Sequence, residues 1–450
     1  ILICLEVCLW LRNNGQRRSP PGPFPWPVVG NAMQLGQLPH LTFCKMSQKY
    51  GNVFQIRLGT QDIVVLNGDS TIREALVKHS KEFAGRPNFS SFQLISGGKS
   101  IAFGGYSTLW KAQKKIAHST LRAFSTVNSK TQKLFEKHVV AEAQDLIDVF
   151  LRLTSEEEYF DPTRECTVAA ANVICALCFG KRYSHDDEEF KALIGRNDKF
   201  GQTVGAGSLV DIMPWLLTFP NPVRSLYHNA EGIEAGDGLS KDYVESIVND
   251  ILGAGQDTTA TALTWILLLL IKYPDIQQKL QEEIDLVVGP NRLPTADDKV
   301  QLPYVQAFIY EALRFSSFVP VTIPHSTTSD VVIDGFYIPK DTVVFVNQWS
   351  VNHDESKWKN PDVFDPSRFL DEEGQLDRDA AFGVMIFSVG KRRCIGDQLS
   401  MLQIFLFTAI FLHQCTLHGN PKEIPTMDCI SGLSLKPLPY GMSVRARVGR

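Results

Sequence analysis

The stretch Phe387-Ser388-Val389-Gly390-Lys391-Arg392-Arg393-Cys394-Ile395-Gly396 places one cysteine between two glycines in a basic turn. Paired cysteines would suggest zinc or a disulfide, but this one has no second cysteine close by in sequence. Gly390 and Gly396 lack a Cβ, so the backbone there is expected to bend sharply and come close to a flat ligand. An apolar helical pattern starts near Gly396 and runs through Met401 and Phe405. Its N-terminal N–H groups would face the sulfur, which predicts a lowered thiol pKa and a bound thiolate. Phe387 is expected to shield the sulfur and Arg392 to reach a propionate with its guanidinium fork. These features point to a haem iron held by Cys394, and a thiolate in that position favours O–O cleavage. A buried structural cysteine beside surface arginines is the plain alternative.

A second unusual stretch lies in the long helical pattern from about Tyr243 to Lys272, which Pro274 stops. Within it, Ala254-Gly255-Gln256-Asp257-Thr258-Thr259 interrupts good helix formers with glycine, at a cost of about 1 kcal/mol per interior glycine. Gly253 and Gly255 are expected to let the helix open locally, Thr258 to offer its hydroxyl at the oxygen site, and Asp257 to relay protons. A polar kink in a buried helix is the other reading. The glycines do not form a phosphate loop, because no Lys-Ser/Thr follows them.

The chain has 450 residues, 44% of them hydrophobic and 21% charged, enough for a large core and without a disorder signature. No linker, repeat or low-complexity tract divides it, which predicts one large domain. The net charge of −4 excludes a general nucleic-acid binder. Nine irregularly spaced cysteines do not form a disulfide framework. Cys175-x-x-Cys178 lies inside the apolar run Val168–Phe179, where packing explains it. Ile1–Leu11 is apolar but too short to span a bilayer, which takes about 17 residues or more. Followed by Arg12, Arg17 and Arg18, it reads either as a short core or signal segment or as the end of a membrane anchor, and the basic flank favours the anchor. The run Pro20-Pro21-Gly22-Pro23-Phe24-Pro25-Trp26-Pro27 excludes helix and central strand.

The pattern Phe-x-x-Gly-x-Arg-x-Cys-x-Gly at 387–396 resembles the haem loop of the cytochrome P450 superfamily, and Asp257-Thr258 resembles its oxygen-activating pair. The resemblance implies a mainly α fold with a small β-rich lobe. It divides the chain into residual anchor and basic flank (1–18), proline-rich hinge (19–31) and haem-thiolate catalytic domain (32–450). Trp110-Lys-Ala-Gln-Lys114 is similar to the family's Trp-x-x-x-Arg clamp, with lysine for arginine, and His325 falls where relatives carry a propionate ligand. Glu311 and Arg314 with Arg368 resemble the family's structural triad. The implied cofactor is haem b, with NADPH acting through a reductase. The implied partners are NADPH–cytochrome P450 reductase and cytochrome b5. Lys111, Lys114, Lys115, Lys391 and Arg393 are candidates for the reductase-facing surface or for an ordinary solvated face.

Longer stretches, Val204–Trp215, Phe315–His325 and Val344–His353, resemble vertebrate family 1, especially its B and C subfamilies. That resemblance implies oxygen insertion into planar aromatic or steroidal substrates at the cytoplasmic face of the endoplasmic reticulum. Expected pocket residues are Phe103 with Phe89 and Phe92, Asn197, Phe200, Ala254, Gly255, Val319, Ile323 and Leu433. Phenylalanine walls suit planar ligands, and Asn197 would orient a phenol or ketone. Between Asn229 and Leu239 the chain departs from the family, because Ala230–Gly238 replaces several tens of residues. This shortening predicts an unusually open cavity and reduced or uncoupled turnover. A haem-thiolate isomerase and a relative that binds haem or apolar ligands without turnover are the rival readings.

Overall fold

Apolar residues dominate Val53–Leu58 (β1) and Gln61–Leu66 (β2), which pair antiparallel about a turn at Gly59 and Thr60. The computed structural model describes residues 18–127, 129–184, 187–203, 209–212 and 241–447. Residues 1–17 of the anchor and basic flank expected at 1–18, and the shortened stretch 230–238, lie outside the described residues. In chain order follow helices α1 (Thr108–Ser125), α2 (Lys130–Glu157), α3 (Thr163–Phe179), α4 (Lys241–Lys272), α5 (Pro274–Val288) and α6 (Pro303–Ser316). Strands β3 (His325–Ser326) and β4 (Val343–Val346), helix α7 (Asp397–Gln414) and strands β5 (Cys429–Ile430) and β6 (Lys436–Pro437) complete the parts that shape the site.

The main sheet has the order β1-β2-β4-β3, with β2 parallel to β4 and β3 antiparallel to β4. Helix boundaries follow local chemistry. The Ser107 hydroxyl accepts the Trp110 N–H at 3.1 Å, and Ser129 accepts that of Gln132 at 2.9 Å. Pro274 and Pro303 occupy first turns, where a missing N–H costs nothing. Helix α7 is apolar on every side and buried without a break from Met401 to His413, as a central core helix must be. It packs against α2 and α4. Tyr243–Lys272 is the one helix among the described residues long and apolar enough to cross a membrane. Since 78% of its apolar window is buried in the protein, its apolarity serves the core.

Helix α4 does not open at its glycines as the sequence suggested. It is helical from Lys241 to Lys272, and Gly255 serves contact with α3: an added Cβ would lie 2.9 Å from Ile174 Cγ1 and Cδ1. Close helix packing, rather than backbone strain, explains this glycine.

Beneath the site, Glu311 and Arg314 are fully buried and joined by two bonds of 2.7 and 2.9 Å. Arg368 Nε completes the triad at 3.1 Å. The proline-rich segment lies along the sheet: Pro21 O accepts the Gln55 N–H, and Arg18 O accepts that of Tyr337. Cys175 and Cys178 are unbridged, and burial pushes their thiols up to about 12 and about 11, as packing cysteines should behave.

Candidate active site

A cavity of about 290 Å³ lies between α1, α4, α7 and the Cys394 loop. Its wall includes Cys394, Phe387, Gly396, Arg392, Trp110, Lys114 and His325, together with Ala254, Gly255, Thr258, Val319 and Ile323. Residues separated by nearly 300 positions in sequence thus meet at one surface. Cys394 borders open cavity space, so the residue counts as exposed although neighbouring atoms crowd its sulfur.

The loop is held from within. The Cys394 N–H donates to Phe387 O at 2.9 Å, and the Gly396 N–H reaches Cys394 Sγ at 3.4 Å. Gly390 has φ +76°, and an added Cβ would lie 1.8 Å from Leu76 O, so this glycine fits the loop onto the segment Glu74–Lys78. Gly396 has an ordinary φ of −102°, and no sharp bend occurs there. An added Cβ at Gly396 would meet no protein atom nearer than Ser400 Oγ at 3.9 Å, and the residue borders the cavity. The thiol is not lowered as expected. Burial raises its pKa and the Asp397 charge adds to this, whereas the Gly396 N–H, Lys114 and Arg393 pull it down. One N–H and two cations therefore do not offset desolvation, and an ionised sulfur needs a further positive charge.

Arg392 is turned to backbone carbonyls instead of projecting as a free fork: Nε donates to Ala84 O, Nη1 to Ile101 O and Nη2 to Gly104 O, at 2.7–3.2 Å. Its guanidinium lies 3.9 Å from the Trp110 ring centroid, while Trp110 Nε1 donates to Ile101 O at 2.9 Å. Lys114 Nζ donates to Lys391 O and Arg393 O. His325 is placed by its pairing with Val344 and accepts or donates at Nδ1 with Phe83 O, 2.7 Å away. Burial and the nearby Arg86 charge drive its pKa down, so the imidazole is neutral.

Arg86 escaped the sequence reading. Its only local signal is a lone arginine between Gly85 and Pro87 in an apolar neighbourhood. The bridge from Gly85 to Ser326 carries it to His325, and its side chain donates to Ala102, Ile323 and Pro324 carbonyls. Arg86, Lys114 and Arg392 all line the cavity, and none forms an ion pair among the described residues. Burial lowers the pKa of all three, to about 8 for Lys114 and about 9 for Arg392. Three partly buried cations that form no ion pair among the described residues, beside one thiol, fit a ligand bearing both anionic groups and a metal, although the Asp250 carboxylate also reaches the wall. Haem, with two propionates and an iron, has that chemistry. Among the described residues no three His, Cys, Asp or Glu side chains gather for a protein-only metal site.

Thr258 lines the cavity and donates its hydroxyl to Ala254 O at 2.6 Å. Asp257 does not line it. Consecutive helical residues point about 100° apart, and its carboxylate is directed to the C-terminal hairpin, accepting from Lys436 Nζ at 2.9 Å and Ser434 Oγ at 2.8 Å. Phe103 is also outside the cavity wall. Its ring packs, tilted, in the aromatic core at 4.8 Å from Phe92, which in turn lies 5.2 Å from Phe89. Leu433 is absent from the wall as well. Asn197 and Phe200 lie on the helix Glu188–Thr203, with side chains outside the described residues.

The sequence profile of the family described as "Cytochrome P450" matches residues 20–235 and 231–444. The chain belongs to the cytochrome P450 family. It is 47% identical to cytochrome P450 1B1 of Mus musculus, covering 99% of this chain and 91% of that protein. With the Homo sapiens form the identity is 48% over 97% and 89%. Cytochrome P450 1A1 of Rattus norvegicus is 42% identical over 93% and 88%. This P450 is a haem-dependent monooxygenase, an oxidoreductase taking electrons from NADPH through a reductase, and it resembles family 1. The two profile matches meet at 231–235, inside the stretch read as shortened. The mouse comparison spans 495 aligned positions against 450 residues here, so at least 45 positions have no counterpart in this P450.

Proposed function

We propose that Cys394 ligates the iron, that Arg86, Lys114, Arg392, Trp110 and His325 surround the propionates, and that planar aromatic or steroidal substrates lie against Ala254, Gly255, Val319 and Ile323. The observation that carries this reading is the meeting, in a single cavity, of one thiol and three cations that form no ion pair among the described residues. Bound haem supplies reductive activation of dioxygen and insertion of one oxygen atom into a C–H or ring position. The chain supplies orientation and protons. Thr258 keeps its hydroxyl proton on Ala254 O and leaves the Oγ lone pairs to accept a bond from a substrate or water. Asp257, whose Oδ1 and Oδ2 accept from Lys436 and Ser434, is the proposed relay that passes protons towards Thr258.

Polycyclic aromatics and oestrogen-like compounds are the proposed substrates, with Asn197 and Phe200 as further contacts. Lys111 and Lys115 are exposed on α1 and suit an acidic reductase or cytochrome b5. We place the enzyme on the cytoplasmic face of the endoplasmic reticulum membrane, with residues 19–31 as hinge and 32–450 as catalytic body. The shortened stretch predicts that part of the NADPH consumed yields peroxide instead of product. The test is the reduced, carbon-monoxide-bound absorption spectrum of the wild type and Cys394→Ser, followed by product analysis with reductase. A thiolate-type red-shifted Soret band that Cys394→Ser abolishes is expected. The same band in both proteins would overturn the assignment.

A further inference from the structure

Lys114 stands where the family pattern places arginine, and its contacts differ from those of a simple anion clamp. Its ammonium donates to Lys391 O at 2.5 Å and to Arg393 O at 3.0 Å. The Arg393 carbonyl belongs to the peptide unit whose N–H is that of Cys394, and this N–H donates to Phe387 O at 2.9 Å. A peptide unit is planar and rigid. Fixed at its oxygen by Lys114 and at its nitrogen by Phe387, it cannot rotate, and the direction in which the Cys394 side chain leaves the backbone is set.

Other restraints act beside this unit: the Gly396 N–H reaches Cys394 Sγ at 3.4 Å, and Arg392 is anchored on the Ala84, Ile101 and Gly104 carbonyls. The Arg393 N–H to Gly390 O contact is long at 3.3 Å, and the Arg393 side chain turns away to Asp397 at 2.7 Å. Helix α1 fixes the lysine in turn: Trp110, one turn earlier, is buried with its indole bonded to Ile101 O, and Lys114 Nζ lies 5.5 Å from the Trp110 ring centroid. An ammonium has three donors, of which two hold carbonyls and one is left for a cavity anion. A planar guanidinium would present its donors as a fork and would match these two carbonyls differently.

We propose that Lys114 is a positioning residue for Cys394, locking the Arg393–Cys394 peptide unit from α1 as a task separate from pairing with an anion. The proposal rests on Cys394 as ligand for its functional meaning, although the clamp itself is a property of the chain.

Two measurements test it with Lys114→Met, Lys114→Arg and, as a control, the exposed neighbour Lys115→Met. In the haem-free protein, amide hydrogen exchange of a peptide covering residues 388–396 is expected to be about tenfold faster in Lys114→Met, only partly restored in Lys114→Arg and unchanged in Lys115→Met. In the haem-loaded protein, conversion of the thiolate-type carbon-monoxide band to the unligated type under mild denaturant should quicken in the same order. Exchange in Lys114→Met equal to wild type would overturn the proposal. A wild type without a thiolate-type band would refute the Cys394 assignment instead, leaving the exchange measurement to judge Lys114.

Discussion

Replacing Arg314 with methionine should weaken both the fold and the grip on haem. Arg314 makes four hydrogen bonds, two to Glu311 and one each to Asn352 O and Pro361 O at 2.8 Å. Arg314→Met leaves the buried Glu311 carboxylate with only the Arg368 Nε bond at 3.1 Å and the Asp365 N–H at 2.9 Å, and orphans two carbonyls. Loss of one partner from a buried pair costs about 3–5 kcal/mol. For 450 residues the unfolding entropy is about 0.9 kcal/mol per kelvin, so the melting temperature should fall by about 3–5 °C. Lys191 and Glu188 provide the comparison, because they share the i,i+3 spacing and a 2.9 Å contact but are solvent-accessible. Lys191→Met should cost no more than about 0.5 kcal/mol. The effect should also reach the cofactor, since Asn352 bonds both the N–H and the carbonyl of Met385, two residues before Phe387. Circular dichroism in a urea titration gives the first quantity, and haem retention with the carbon-monoxide spectrum gives the second. Equal losses in the two variants would refute the argument from burial. A destabilised Arg314→Met that keeps wild-type haem retention would refute the link through Asn352.

Two further outcomes are expected. Burial, helped by the Arg314 charge, lowers His353 to about 3, and burial lowers His40 to about 4, so both are neutral when folded and bind a proton when unfolded below about pH 6.5. Stability should therefore decline as pH falls from about 6.5 towards 4, by up to about 1.4 kcal/mol per pH unit for each histidine. His353→Phe, which keeps the stack on Trp349, should flatten that slope in urea titrations across pH, and an unchanged slope would contradict it. Asp257→Asn removes the charge that holds Lys436 and should cut product formed per NADPH by about tenfold or more, with peroxide rising and the carbon-monoxide spectrum intact. Unaltered coupling would remove Asp257 from the proton route.

The sequence by itself supplied the loop pattern around Cys394, the proposed iron ligand, and the helical frame around it. Cys394 between Gly390 and Gly396, Thr258 in the long helix, and the Glu311-x-x-Arg314 pair are local patterns, because cap, turn and helix-face geometry depend on residues a few positions apart. Tertiary structure decided which side chains share the cavity. It brought Arg86 to His325 through the Gly85–Ser326 bridge, a contact across more than 200 positions that leaves no periodic trace. It set Asp257 against Lys436 and placed Phe103 in a core shared with Val321 and Phe345, since the pairing of one residue and the burial of the other depend on distant partners. It also turned Arg392 and Lys114 onto backbone carbonyls. A buried cation must take whatever acceptor the fold presents, and which acceptor that is cannot be read from the cation's neighbours in sequence.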